Sequence, residues 1–241
     1  MLARWADRLH PVEVAPRSRR FGYRDRVTLT VRHEHGGWRF GLVRRDELIA
    51  IHECPVHTAR VNSLVAILVA TLPPPASFPL AYLNVAGGQA TLIVKARSFD
   101  MQGLEPLRSA LRGAGIDGLW VHCHPSAGRR LFARSGWHLV WGSAESIDAH
   151  DCVHGPTAFQ QLLPELHARS LERVLRFLAP EPGIGVLDLY CGIGSSLRAW
   201  RAAGADALGI ELAGGAVDCA VRNAPGATVL RGTCGQRDAT T

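Results

Sequence analysis

The residues best suited to hold a ligand lie in the last quarter of the chain. An apolar run at 186–189 contains one acid, Asp188, and two glycines follow it, Gly192 and Gly194. Such a run is typical of a buried parallel strand, and glycines after it let backbone amides approach a ligand. Glu211 ends the next apolar run, where a carboxylate can accept hydrogen bonds from both hydroxyls of a ribose. Together these residues predict a site for a nucleoside-type cofactor.

The departures from the dinucleotide-binding pattern indicate which cofactor this is. That pattern places a third glycine where this chain has Leu197, because the helix must pack closely on the strand. S-adenosylmethionine has no pyrophosphate but carries a sulfonium and an ammonium group, and an acid such as Asp188 suits these cations. We therefore expect S-adenosylmethionine rather than a nicotinamide cofactor. The alternative is a glycine-rich turn that only connects a strand to a helix, with Glu211 present by coincidence.

Several motifs in order carry a resemblance to a known family. They are AFQQ at 158–161, DLYCGIG at 188–194, GIE at 209–211 and NA at 223–224, preceded by FGYRDRV at 21–27, FGLVRR at 40–45 and IHECP at 51–55. The chain resembles the RNA 5-methyluridine methyltransferases, which methylate carbon 5 of uracil, and is most similar to their ribosomal RNA branch. The resemblance runs from about residue 10 to about residue 232.

The resemblance implies roles for individual residues of the cofactor site. Gln161 matches a glutamine that reaches S-adenosylmethionine, Tyr190 and the turn 192–194 match its cradle, and Glu211 matches its ribose acid. Ser195 stands where some members have asparagine. The acid that follows the third strand in the family is replaced here by Gly-Thr-Cys at 232–234. Two alternatives stay open: Gln161 as a helix cap and Tyr190 as a packing residue.

No catalytic residue is assigned from the sequence. The resemblance implies a cysteine that adds to carbon 6 of uracil and a glutamate that removes the proton from carbon 5, both beyond residue 241 in register. Cys191, Cys219 and Cys234 do not match the nucleophile's segment. We therefore expect that residues 1–241 alone do not methylate RNA.

The cysteines also make a metal site unexpected. The six cysteines form no CxxC pair, so neither disulfides nor zinc is predicted. Some relatives bind an iron-sulfur cluster through a cysteine matching Cys54, but one ligand cannot hold a cluster. The sequence predicts no metal, and Cys54 is expected to be a buried thiol.

Composition and charge favour an RNA-binding protein of the cytoplasm. The 241 residues have a net charge of +6, and residues 1–60 hold twelve arginines against seven acids. A basic region of this kind is expected of a phosphate-binding surface, although arginine-rich solvated faces are also common. No run of eighteen apolar residues and no signal peptide is present, so we expect no membrane segment and a cytoplasmic location.

Hydrophobic periodicity predicts two units. Residues 1–150 form a small α+β domain that faces RNA, with strands at 27–32, 38–43, 80–85, 89–95, 119–122, 130–133 and 138–141 and helices at 58–72 and 103–113. Residues 151–241 form the first half of an α/β, Rossmann-like S-adenosylmethionine methyltransferase domain. Its elements are helices at 162–178, 196–203 and 213–222 and strands at 186–189, 207–210 and 228–230.

Only three strands of the Rossmann-like sheet are predicted, and the first would normally lie in its middle. Its other edge would then expose unpaired backbone groups, so the chain is expected to be a partial chain or to pair with a completing polypeptide. The sequence thus predicts an S-adenosylmethionine-dependent RNA uracil-C5 methyltransferase, with ribosomal RNA favoured over transfer RNA. The alternatives are a non-catalytic RNA-binding remnant and a methyltransferase that acts on a small molecule.

Overall fold

The first part of the chain folds around a seven-stranded sheet. The computed structural model describes residue 14, residues 20–76 and residues 78–234. The strands are β1 (Arg26–Glu34), β2 (Gly37–Arg44), β3 (Glu47–Ala50), β4 (Leu80–Ala86), β5 (Gln89–Val94), β6 (Gly118–Cys123) and β7 (Trp137–Gly142). They lie in the order β3-β2-β1-β4-β5-β6-β7, and only β5 and β6 are parallel. This sheet is the α+β unit that the sequence predicts.

Helices cover this sheet and close its core. They are α1 (Ala59–Thr71), a 3-10 turn at Gln102–Leu107 and α2 (Arg108–Gly113). Thr58 caps α1 by accepting a hydrogen bond from the Val61 amide, and Leu64 and Leu68 of that helix are fully buried. Every residue of β5 is buried, as expected for a strand covered on both faces.

The second part carries three parallel strands flanked by helices. A short hairpin of β8 (Ser146–Ile147) and β9 (Val153–His154) leads into α3 (Pro164–Leu178). Then follow β10 (Gly185–Leu189), α4 (Ser195–Ala202), β11 (Asp206–Glu211), α5 (Gly214–Asn223) and β12 (Thr228–Arg231). The strand order is β10-β11-β12, with both pairs parallel. This confirms the predicted first three strands of a Rossmann-like sheet.

One predicted strand is wrong. Residues 130–133 have no regular secondary structure and pair with no strand among the described residues. The Ala133 amide donates to the His122 side chain at 3.0 Å instead of to a backbone carbonyl. The sequence also gave no signal for β3, β8 and β9, which have four residues or fewer. Some predictions concern residues that the structure does not describe. These residues are 1–9, the arginines at 4, 8, 17 and 19, and the tail 235–241.

The outer edge of β10 is unpaired within the described residues. β10 pairs with β11 alone, and the side chains of Leu187 and Leu189 are 56% and 47% exposed. The neighbouring helix α3 has no fully buried residue, and Phe177 near its end is 87% exposed. An apolar strand with one free edge is an unusual surface for a protein that remains monomeric.

A glycine of β11 lets α4 approach the sheet. Leu197 is fully buried and lies over Gly209, where an added Cβ atom would come within 2.5 Å of Leu197 Cδ1 and 2.7 Å of Cys191 Sγ. The sequence has a large residue on the helix where a dinucleotide-binding chain has glycine. The structure shows that the space for this residue comes from a glycine on the adjacent strand.

We predict that Gly209→Ala lowers the free energy of unfolding by about 1–3 kcal/mol, because the new methyl group overpacks against Leu197 and Cys191. Urea unfolding followed by circular dichroism measures this change. Gly185→Ala in β10 is the matched control, since a Cβ atom there meets nothing within 4 Å. Equal stability of the two variants would contradict the close packing described here.

Candidate functional site

A cleft of about 320 Å³ lies at the carboxyl end of β10. Four of the predicted site residues line it: Gln161, Asp188, Tyr190 and Ser195. Gly192 and Gly194 belong to the turn that forms one wall, whereas Glu211 lies behind the turn and does not line this cleft. The remaining wall comes from residues 148–150, 159–160, 164 and 167. The fold therefore brings the predicted residues to one place.

The turn after β10 has an unusual backbone. Tyr190, Gly192 and Gly194 have φ angles of +64°, +56° and +83°. A Cβ atom at Gly194 would come within 2.9 Å of Ala220 in α5, so glycine is required for packing there. A Cβ atom at Gly192 would meet nothing within 4 Å, so this glycine faces open space. Tyr190 takes a left-handed conformation without being glycine, which strains the backbone and leaves its side chain 72% exposed.

Two acids support the turn from below. The Glu211 carboxylate accepts hydrogen bonds from the Gly192 amide at 3.1 Å and from the Ala213 amide at 2.8 Å. It thereby joins the end of β11 to the turn that follows β10. Asp188 accepts a hydrogen bond from the Ser196 hydroxyl at the start of α4. Both carboxylates keep acceptor capacity, because an ionised carboxylate has about four lone-pair sites.

Asn223 fastens the same turn from the other side. Its amide nitrogen donates to Ile193 O and Val153 O, each at 2.8 Å, and its amide oxygen accepts from the Val153 amide at 2.7 Å. Asn223 is buried and ends α5. The sequence motif at 223–224 carried the resemblance without a stated role, and the structure assigns Asn223 to joining the turn to β9.

The opposite wall depends on Arg26, which the sequence reasoning did not select. Arg26 Nη2 donates to Gln160 Oε1 at 2.8 Å, and Nη1 donates to Ala158 O. Gln160 Nε2 in turn donates to Asp148 Oδ2 at 2.9 Å. Burial lowers the pKa of Arg26 to about 10, against the opposing effect of nearby carboxylates. Arg26 thus joins β1 to the segment that presents Gln161.

The buried cysteines near the site are poor nucleophiles. Burial, with smaller effects from Asp188 and Glu211, raises the pKa of the Cys191 thiol to about 11. Burial also raises the pKa of Cys152 and Cys219. Because the thiolate is the reactive form, these three cysteines remain unreactive near neutral pH. Arg198 and Arg222 contact the Cys152 and Cys219 thiols and act to lower their pKa values, but burial has the larger effect at both.

Several arginines of the basic first quarter serve the fold itself. Arg26 donates to Gln160 and to the Ala158 carbonyl. Arg60 forms an ion pair with Asp25 at 2.9 Å, and Arg32 contacts Glu34 at 3.4 Å. Arg44 and Arg45 are exposed at the turn between β2 and β3. At least three of the twelve arginines in residues 1–60 are therefore engaged in contacts within the fold.

No protein-family model matches the chain. An uncharacterized RNA methyltransferase of Thermosynechococcus vestitus is 26% identical over 241 aligned positions, which cover 89% of this chain and 51% of that protein. The 23S rRNA (uracil-1939, C5)-methyltransferase of Azoarcus sp. is 30% identical and is matched over 85% of this chain and 48% of its own length. The chain thus spans about half the length of the curated relatives it matches.

One solved structure shares the fold over most of the chain. It is the Pyrococcus abyssi tRNA (uracil-54, C5)-methyltransferase in complex with S-adenosyl-L-homocysteine. The TM-score is 0.71 at 17% identity, and the match covers 92% of this chain and 57% of that one. The three-stranded sheet, its glycine turn and this likeness define the class, which is the S-adenosylmethionine-dependent methyltransferase fold. In sequence, the chain is similar to RNA methyltransferases, among them the 23S rRNA uracil-C5 methyltransferases. Within the described residues, no helix has the length and apolar character needed to cross a membrane.

We predict that Arg26→Met loosens the wall of the cleft, because methionine cannot donate to Gln160 or to the Ala158 carbonyl. Hydrogen exchange of segment 157–161 should become at least tenfold faster, and the free energy of unfolding should fall by about 2 kcal/mol. Arg24→Met is the control, since Arg24 is exposed and its side chain contacts only the Arg26 carbonyl. Unchanged exchange in Arg26→Met would show that this arginine does not hold the segment.

Proposed function

We propose that this chain binds S-adenosylmethionine and RNA as part of an RNA uracil-C5 methyltransferase, with ribosomal RNA as substrate and the cytoplasm as its location. The observation that carries the proposal is the cleft at the end of β10, where Gln161, Asp188, Tyr190 and Ser195 meet beside the turn that Glu211 holds. The relatives that act on 23S rRNA support the choice of substrate.

The residues present fit this cofactor. The bound cofactor would supply an electrophilic methyl group. Asp188 at the floor of the cleft offers a negative charge to its cationic groups, and Glu211 offers free lone pairs to ribose hydroxyls. Gly192 leaves the space beside Glu211 open, and Tyr190 presents an exposed ring against which a flat base can stack. The cleft volume of about 320 Å³ falls at the lower end of the range for small-molecule sites.

A nicotinamide dinucleotide fits the same turn less well. Its pyrophosphate needs backbone amides at the helix start and no carboxylate nearby. Here the Gly192 amide is used by Glu211, and Asp188 lies beside the first turn of α4 through its contact with Ser196. The Asp188 carboxylate would repel a pyrophosphate at the start of α4, whereas it attracts a sulfonium compound. This charge arrangement favours S-adenosylmethionine.

The second part of the proposal is that methyl transfer requires polypeptide beyond the described residues. Cys191, Cys152 and Cys219 have raised pKa values, which disfavours the thiolate that uracil methylation needs at these three positions. The free edge of β10, with Leu187 and Leu189 exposed, offers a place for a further strand to pair. We infer that the same additional segment completes the sheet and brings the nucleophile.

A non-catalytic RNA-binding protein is the second candidate, and the exposed Arg44 and Arg45 at the turn between β2 and β3 are the observation that supports RNA binding. The two candidates differ in one property, because a protein that only binds RNA has no use for a methyl donor. Cofactor binding therefore discriminates between them.

We predict that S-adenosyl-L-homocysteine binds the chain and that Glu211→Gln weakens this binding about tenfold or more, since the lost charge weakens hydrogen bonds to the ribose and to the turn. Isothermal titration calorimetry measures the dissociation constants. Glu181→Gln, at an exposed position before β10, removes the same charge and should bind like the unaltered chain. Identical affinities for all three proteins would place the ligand elsewhere or show that it does not bind.

Transfer of a tritium-labelled methyl group to unmodified 23S rRNA tests whether methyl transfer requires additional polypeptide. We expect no transfer by residues 1–241, although both ligands bind, because no reactive thiolate is available. Turnover by the purified chain would overturn the requirement for additional polypeptide. Failure to bind S-adenosyl-L-homocysteine would instead overturn the cofactor assignment.

A further inference from the structure

The loop between β6 and β7 forms a basic surface that the cofactor site does not use. Residues 118–144 contain three arginines and three histidines and no acid. Arg129, Arg130 and Arg134 are exposed, and none of them makes an ion pair with the part of the chain that the structure describes. They line a broad pocket of about 990 Å³ together with His124, Ser126, Phe132 and Ala133.

The middle of this loop is fixed to the sheet at one residue. The Ala133 amide donates to Nε2 of His122 at 3.0 Å, and the Ala133 carbonyl accepts from Nε1 of Trp137 at 2.8 Å. His122 is fully buried and stacks on Trp137 with 4.0 Å between ring centroids. Burial lowers the pKa of His122, which keeps the ring neutral so that Nε2 can accept the Ala133 hydrogen bond. The segment is therefore held in a defined position without being a strand.

This attachment determines what the loop presents outward. Residues 130, 132 and 134 follow one another closely on the loop, and they line one pocket together with Ala133. The three side chains are Arg130, Phe132 and Arg134, and all of them line the pocket. Phe132 is partly exposed and lies 5.6 Å from Trp137 between centroids. A fixed aromatic ring between two arginines matches a nucleotide, whose base stacks while its phosphates meet guanidinium groups.

A buried polar atom at the edge of the pocket also lacks a partner. His124 Nε2 is shielded from solvent and makes no hydrogen bond within the described residues. Such atoms are few in folded proteins and commonly mark a place where a ligand or water binds. His124 lines the same pocket as the arginines.

We propose that the loop 124–136 is an RNA-binding surface that holds a single-stranded segment of the substrate, with Arg130 and Arg134 on phosphates and Phe132 stacked on an unpaired base. This inference rests on the proposed function, in that the partner is RNA. The loop follows the carboxyl end of β6. Gly118, at the amino end of β6, lies near Ser143 and Gln89, and Gln89 contacts Ser146 of the β8–β9 hairpin that leads to the cleft. A six-residue strand spans about 20 Å, so the loop anchors RNA away from the cofactor.

Fluorescence anisotropy with a labelled single-stranded RNA of about 20 nucleotides tests this proposal. The double variant Arg130→Ala/Arg134→Ala should bind at least tenfold more weakly near 0.1 M salt. The slope of log K against log salt concentration should fall in magnitude by about 1.4, because two phosphate contacts are lost. Phe132→Leu should bind about tenfold more weakly with an unchanged salt slope, and should lose preference for single-stranded over duplex RNA. Arg108→Ala/Arg176→Ala, which removes the same charge from two helices, is the matched control and should bind normally.

Each result decides between this inference and the proposed function. Normal RNA binding by both loop variants would overturn the inference and leave the proposed function standing. Loss of RNA binding in the loop variants, in a chain that does not bind S-adenosyl-L-homocysteine, would support the inference and overturn the cofactor assignment. No RNA binding by the unaltered chain would overturn both. Unchanged circular dichroism and S-adenosyl-L-homocysteine affinity in the variants show that the fold and the cleft are intact.

Discussion

The cleft depends on the hydrogen bond between the Glu211 carboxylate and the Gly192 amide. This bond joins the ends of two neighbouring parallel strands and fixes the turn in which Tyr190, Gly192 and Gly194 have positive φ angles. Gly192 and Gly194 adopt these angles readily, whereas at Tyr190 the surrounding contacts must offset the strain. Asn223 and Ala220 hold it from α5, so the sheet, the helix and the acid together determine the shape of the pocket.

The two parts of the molecule meet through polar contacts at this same place. Arg26 of β1 holds the segment before α3, and Arg222 of α5 forms an ion pair with Glu145 beside β8. The Arg222 and Glu145 side chains are partly exposed, so that pair adds orientation more than stability. The Arg26 contacts are more buried and connect directly to Gln160, next to Gln161. The unit built on the seven-stranded sheet therefore shapes one wall of the cleft.

The sequence allowed prediction of features that depend on local patterns. Apolar runs and glycines located β10, β11 and β12, and the position of Glu211 at the end of β11 follows from its place after residues 207–210. Contacts over long separations were not predictable. Arg26 and Gln160 are 134 residues apart, and nothing in either segment indicates the other. The strand expected at 130–133 failed because the His122 side chain takes the hydrogen bond that a neighbouring strand would otherwise accept. The count of charges in the sequence predicted the RNA contact in the first quarter of the chain, where several arginines form contacts within the fold. It did not indicate the loop at 124–136.

A crystal structure of the chain soaked with S-adenosyl-L-homocysteine tests the central claim most directly. The account predicts density in the cleft at the end of β10, with the amino acid part near Asp188, and density that continues past the Gly192 turn so that the ribose hydroxyls reach Glu211. Density at another place, or an empty cleft at saturating ligand, would contradict it.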